Sequence, residues 1–305
     1  MFGRQHVKSC GTCSRSGLQV YPLKNAGRGA AKRIKPLKDE TKMEMDYANA
    51  RPSEIRKKIR NGEITTQTSG MCMGYAQANL VILPYREAYD FLLFAQRNPT
   101  SCPLLEVCDK GSRSLRYIAE DADIARDIPK YRIYEYGKLV REVMDVSDIW
   151  RSDFVSFLIG CSFSFEAALL EAEVPVRQIE EHCNVPMYLT NLPCVPAGVF
   201  HGNMVVSMRP MTPALAIRAI KVTSEMPQVH GAPIHFGNPE EIGIQNISCP
   251  DFGDPVTIRE GEIPVFWPCG VTPQAAVMAA KPPLAITHAP GHMLITDLKN
   301  TALKY

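Results

Sequence analysis

Charge of one sign is what this chain most lacks: 34 Lys and Arg stand against 32 Asp and Glu, a formal net charge of +2. Such a balance carries none of the electrostatic footprint of nucleic-acid binders, so a nucleic-acid partner is disfavoured. Long apolar runs are missing too. A membrane-spanning helix needs roughly 18–20 apolar residues, and even the run at 154–159 stops at Gly160, Cys161 and Ser162, so no membrane partner is expected. Neither a P-loop nor a G-x-G-x-x-G fingerprint occurs, which removes the usual phosphate cradles of ATP and NAD and leaves no cofactor expected. A G-x-S-x-G elbow is absent, which argues against a serine hydrolase.

What is present is enough to fold. The 305 residues are 45% hydrophobic, sufficient for a sizeable core in one large domain or two smaller ones. Ten cysteines are a modest fraction of this length, and most stand alone in apolar or turn-like contexts, so reduced thiols are the better reading. Cys10 and Cys13 form a C-x-x-C with no second pair at zinc-ribbon spacing, and no metal site is expected. Residues 1–38 contain no Asp or Glu and nine Lys or Arg. The segment 1–45 is read as a basic, disordered leader, compatible with a transit peptide or a tail, and 46–305 as the folded part, in two subdomains. Unpaired cysteines and the lack of a secretory signal favour the cytoplasm, and the leader makes the mitochondrial matrix the alternative.

Organisation follows from periodicity. Residues 79–83 form an apolar run rich in β-formers, and after Pro84 the segment 85–97 repeats Ala88, Phe91, Leu92 and Ala95 at helical spacing. Short alternating pieces at 131–134 and 138–143 flank Gly137 and predict a hairpin. Further on, 154–159, 204–208, 264–267 and 284–287 read as strands, with helices at 165–173, 213–225 and 274–281 after the first three. The alternation predicts an α/β fold with a largely parallel or mixed sheet, flanking helices and a smaller α+β subdomain.

In such sheets ligands bind beyond the carboxyl ends of the strands, where helix N-termini present free N–H groups to anions. The junctions here carry Cys161, Ser162 and Ser164, then Arg209, then Thr272, while the last strand runs into His288 and His292. A small anionic substrate is implied, with Arg209 as a bidentate clamp. Each residue also has a plainer reading. Cys161 is a small core hydrophobe as readily as a nucleophile, since nothing adjacent supplies a base. Glu166 suits catalysis or the helix dipole equally. Ser162 and Ser164 fit N-caps. His230, His235, His288 and His292 lie in Gly/Pro loops, where a neutral imidazole serves as a proton shuttle or ties down loop carbonyls.

Taken together the motifs are recognisable: Thr68-Ser69-Gly70 with Gly74, Gln77 and Asn79; Gly160-Cys161-Ser162-Phe163-Ser164-Phe165-Glu166; Ser207-Met208-Arg209-Pro210; His230-Gly231 with Pro233 and His235; Asp251-Phe252-Gly253-Asp254; Trp267 with Gly270, Thr272 and Pro273; and His288 with Pro290-Gly291-His292. Across 46–298 the sequence resembles the hydro-lyase family that includes the D-glutamate cyclases. The resemblance implies a two-part α/β fold and a lyase that releases water, as in closure of D-glutamate to 5-oxo-D-proline. On that reading His230, His235 or His288, with Glu166 or Cys161 as alternatives, would carry the catalytic steps. Arg209, Ser162, Ser164, Thr272, Thr68, Gln77, Asn79 and His292 would bind substrate. A dehydratase for another amino or hydroxy acid and a non-catalytic binder of small carboxylates are the rivals, and a homo-oligomer is left open.

Overall fold

The computed structural model describes residues 47–304; the basic leader, with Cys10 and Cys13, lies outside them. Helix α1 (Pro52–Arg60) precedes β1 (Tyr75–Pro84), whose apolar run is buried at nine of ten positions. Pro84 ends the strand, and α2 (Tyr85–Arg97) lays Ala88, Phe91, Phe94 and Ala95 inward. Strand β2 (Leu104–Val107) follows, then the expected hairpin of β3 (Tyr131–Glu135) and β4 (Lys138–Val143), with Gly137 at φ +77° in its turn. Next come β5 (Phe154–Gly160), α3 (Phe163–Glu171), α4 (Arg177–Glu180), β6 (Met187–Pro193) and β7 (Asn203–Met211). The chain ends with α5 (Pro213–Ser224), β8 (His235–Phe236), β9 (Ile263–Pro268), α6 (Thr272–Ala280), β10 (Ala285–His288) and β11 (Leu294–Lys299).

These strands build two sheets. One is seven-stranded, in the order β2-β5-β1-β10-β3-β4 with β11 also paired to β1; the other is four-stranded, β6-β7-β9-β8. The α/β content is as expected, but the largely parallel or mixed pairing is corrected, because every pairing between these strands is antiparallel. The reason is local. Strands β1 and β2, joined through α2, do run the same way, yet β5 inserts between them and pairs antiparallel with both. A split β-α-β unit reads in sequence like a parallel crossover.

The second sheet repeats the device. Strands β7 and β8, joined through α5, flank β9 as β1 and β2 flank β5. The correspondence reaches single hydrogen bonds. Ser164, four residues beyond Gly160, accepts from the Gln77 N–H at 3.0 Å, and Thr272, four beyond Pro268, accepts from the Val205 N–H at 3.0 Å. Their partner strands are in the same register, Ala78 opposite Gly160 and Val206 opposite Pro268. The chain therefore contains one strand-helix unit twice, and the helices α3 and α6 start at equivalent places.

Packing between layers is aromatic and close. Phe91 of α2 meets Phe157 of β5 edge-on at 4.8 Å and Phe200 at 5.2 Å, a geometry worth about 0.5–1.5 kcal/mol beyond area burial. At the end of β5, a Cβ on Gly160 would fall 2.0 Å from the Gln228 carbonyl oxygen, which is backbone and cannot swing aside. Gly160→Ala is therefore expected to destabilise the protein by about 1–3 kcal/mol as an overpacked site, read as a lower urea midpoint with an unchanged slope; an unaltered midpoint would show that this contact is loose.

Candidate active site

The equivalent starts of α3 and α6 face one small cavity. Cys161, Ser162 and Phe163 line it from one unit and Cys269, Gly270 and Val271 from the other, around a volume of only about 10 Å³, room for at most a single water-sized group. A Cβ at Gly270 would meet the Asn79 amide at 2.0 Å, so a side chain there would displace Asn79. Asn79 in turn donates to the Gly160 carbonyl at 2.8 Å, which holds the end of β5.

Asn184 lines this cavity and also a wide, open pocket of about 490 Å³, so the two adjoin. The larger pocket carries three basic side chains, Lys130, Arg132 and His292, and three acidic ones, Glu142, Asp251 and Asp254. Arg132 and Glu142 pair at 2.7 Å. Asp251 accepts from the Leu189 N–H at 2.8 Å and Asp254 from the Asn184 N–H at 3.0 Å, which pins the 251–254 turn to the chain around 184–189.

His292 sits on a loop fixed from both sides. The Thr68 N–H donates to the Gly291 carbonyl at 2.8 Å, and the Thr68 hydroxyl accepts from the Met293 N–H at 3.0 Å. Gln77 completes the clasp, accepting from the Thr68 hydroxyl at 2.7 Å and donating to the Thr68 carbonyl at 2.9 Å. The Nδ1 of His292 lies 3.0 Å from the Pro290 carbonyl. A carbonyl only accepts, so Nδ1 carries the proton and Nε2 keeps its lone pair. Burial pushes the imidazole below its ordinary pKa, and Lys130 and Arg132 add to this against the Pro290 carbonyl and Glu142. The ring is a neutral base at neutral pH.

Arg209 stands elsewhere. It lies within β7, not beyond its end, and is sealed from solvent. Its guanidinium donates to Glu166 at 2.5 Å, to Ser207 at 3.1 Å and to Ser162 at 3.2 Å, and stacks over Phe165 and Trp267 at 5.1 and 5.6 Å. The expected clamp is thus paired with a buried carboxylate of this chain. Burial pushes the Glu166 carboxyl up, while Arg209 and a 2.7 Å hydrogen bond from Gln178 pull it back.

The other expected residues divide clearly. Ser164 and Thr272 spend their hydroxyls on neighbouring strand backbone. Burial raises the Cys161 thiol and takes Cys269 to about 11, so neither is a thiolate at neutral pH. His230, in a left-handed conformation at φ +83°, donates from Nδ1 to the Thr100 carbonyl at 2.9 Å. His288 accepts the Leu80 N–H at 3.1 Å. Both rings are buried, which pushes each down to about 4. His235, on β8, donates to the Asn238 carbonyl at 2.7 Å. None of these three lines the open pocket.

Apart from His292, the pocket's ionisable lining comes from residues the sequence did not single out for chemistry. Asp251 and Asp254 belong to a recognised motif, but Lys130, Arg132, Glu142 and Asn184 lie outside every motif and gave no signal. Among the described residues no cluster of three His, Cys, Asp or Glu is placed to hold a metal ion, and no helix is long and apolar enough to cross a membrane.

Comparison with known proteins agrees with the motifs. The family model described as D-glutamate cyclase matches residues 155–297. A Clostridium beijerinckii protein named "Putative hydro-lyase" is 67% identical over 86% of this chain and 100% of its own length. Similarly named proteins of Thermoanaerobacter sp. strain X514 and Bacillus licheniformis are each 60% identical, over 85% and 84% of this chain and 98% of their own lengths. The chain belongs to the D-glutamate cyclase family.

The two sealed histidines make a measurable claim. Each titrates near 4 when folded and near 6.5 when unfolded, so between those values the unfolded chain binds more protons and stability falls as pH falls. At pH 5 this amounts to roughly 2 kcal/mol per histidine relative to pH 7. Urea melts at both pH values are expected to show the loss, and His288→Gln to reduce its pH dependence; an equally steep dependence in the variant would mean His288 is not sealed.

Proposed function

We propose that the open pocket binds D-glutamate and that the protein closes it to 5-oxo-D-proline with release of water. The observation that carries this reading is the pocket's charge pattern, three bases and three acids around about 490 Å³. Lys130 and Arg132 suit a carboxylate, and Asp251 or Asp254 the α-ammonium.

The chemistry balances without a co-reactant. His292 Nε2 takes one proton from the ammonium, and the freed amine attacks the γ-carboxyl carbon, forming the lactam C–N bond. A tetrahedral oxyanion results. Its charge is met by the cations of the pocket, Lys130 and Arg132. The C–O bond then breaks, and both protons that leave the nitrogen depart with that oxygen as water, one of them through His292. Holding the two ends of one substrate together contributes several kcal/mol, since effective molarities correspond to about 7–11 kcal/mol at best. Thr68 and Gln77 serve by fixing the loop of His292, and Arg209 by fixing Ser162.

Incubation with D-glutamate and detection of 5-oxoproline by mass spectrometry tests the reading. His292→Ala is expected to lower kcat/KM by about 10²–10⁴-fold with the melting temperature preserved. Because the depressed pKa of His292 leaves the ring neutral, kcat/KM should rise on a limb below pH 6.5 and be flat by neutrality. Thermal stabilisation by D-glutamate with no product would identify a binder instead, and turnover of another acid alone would move the substrate assignment.

A further inference from the structure

A second space lies beneath the 66–74 loop. An outer chamber of about 470 Å³, lined by Thr66, Gln67, Ser69, Gln178 and His182, meets an inner recess of about 70 Å³ bounded by Phe163, Glu166 and Asn300. They share Gly70, Met71 and Ile179, so they are continuous. Three polar atoms of these walls have no hydrogen-bond partner: Oε1 of the half-buried Gln67, and Oε1 of Gln178 and Oδ1 of Asn300, whose residues are 1% and 9% exposed. Leaving such groups unpaired costs about 1–3 kcal/mol each. For Gln178 the orientation is not arbitrary. Its Nε2 donates to Glu166, a carboxylate that only accepts, so Oε1 is held as a free acceptor.

The lining selects the ligand's charge. Glu166 is the one Asp, Glu, Lys or Arg among the described residues of both chambers, and Arg209 already balances it at 2.5 Å. A carboxylate entering here would face Glu166 with no cation on the walls. An ammonium group would add a second cation to a balanced buried pair, with the desolvation cost that implies. What remains is a neutral group with two N–H donors and an acceptor for the Ser69 and Thr66 hydroxyls. We propose that these chambers form a second ligand site, specific for a small primary carboxamide whose NH₂ satisfies Gln178 Oε1 and Asn300 Oδ1.

The inference does not rest on the cyclase reading, because its measurement is binding rather than turnover. Calorimetric or NMR titration of the full chain with propionamide, propionate and propylamine tests it. Propionamide should bind saturably and about tenfold or more tighter than the acid or the amine, and Gln178→Leu and Asn300→Leu should each weaken it by about fivefold or more. Saturating D-glutamate and the His292→Ala change should leave the titration unaltered. Equal binding of acid or amine, competition by D-glutamate, or an unchanged affinity in Asn300→Leu with a wild-type melting temperature would overturn the proposal; should Gln178→Leu fail to fold, Asn300→Leu decides alone.

Discussion

The buried pair of Arg209 and Glu166 is the constraint around which the rest is arranged. Arg209 belongs to β7 of the smaller sheet, and Glu166 to α3, which follows β5 of the larger one. Neither side chain reaches water to any extent, so each charge is tolerable only because the other is there. Removing one partner of such a pair typically costs about 3–5 kcal/mol, although apolar replacement of both can be neutral. An ion pair is thus a poor choice for stability alone. What it supplies is position: the guanidinium also reaches Ser207 and Ser162, so the first turn of α3 is set against the second sheet by directed bonds rather than by greasy contact.

That placement matters because the strand-helix unit occurs twice. In each copy a hydroxyl four residues past the strand end returns to the neighbouring strand, Ser164 to Gln77 and Thr272 to Val205. These bonds bring the helix starts to one seam, where cavity walls come from both units. Two helix N-termini converging on a space hardly larger than a water molecule concentrate partial positive charge at one point. The clasp of Thr68 and Gln77 on the 291–293 backbone fixes the neighbouring loop, whose Gly291 and Met293 line the same cavity.

Much of this was legible in the chain itself, and the limits have physical causes. Apolar runs and Pro/Gly punctuation located β1, α2, the hairpin around Gly137, β5, β7, β9 and their helices. Short strands such as β2 and β8 were invisible because four and two residues carry too little periodicity. The direction of pairing was misread, since insertion of β5 between β1 and β2 is a long-range event with no local trace. Motif chemistry drew attention to the residues that hold the seam together. Lys130, Arg132 and Glu142 escaped notice because an exposed or half-exposed charge on a hairpin looks like any solvated face until the fold closes around it.

The contrast between the two spaces follows from the same electrostatics. In the open pocket, water remains close to Lys130, Arg132 and the acids, so charges of both signs coexist at moderate cost. Under the 66–74 loop, desolvation governs. There a single carboxylate required an arginine of its own, and the other polar groups in the lining are hydroxyls, amides and a histidine. Charges of both signs thus stand where solvent screens them, and the rigid interior is built around a pair whose charges cancel. Burial thus sorts the ionisable groups: those of the open pocket stay partly wetted, whereas Arg209, Glu166, His230 and His288 are sealed in the interior and bonded to their neighbours there.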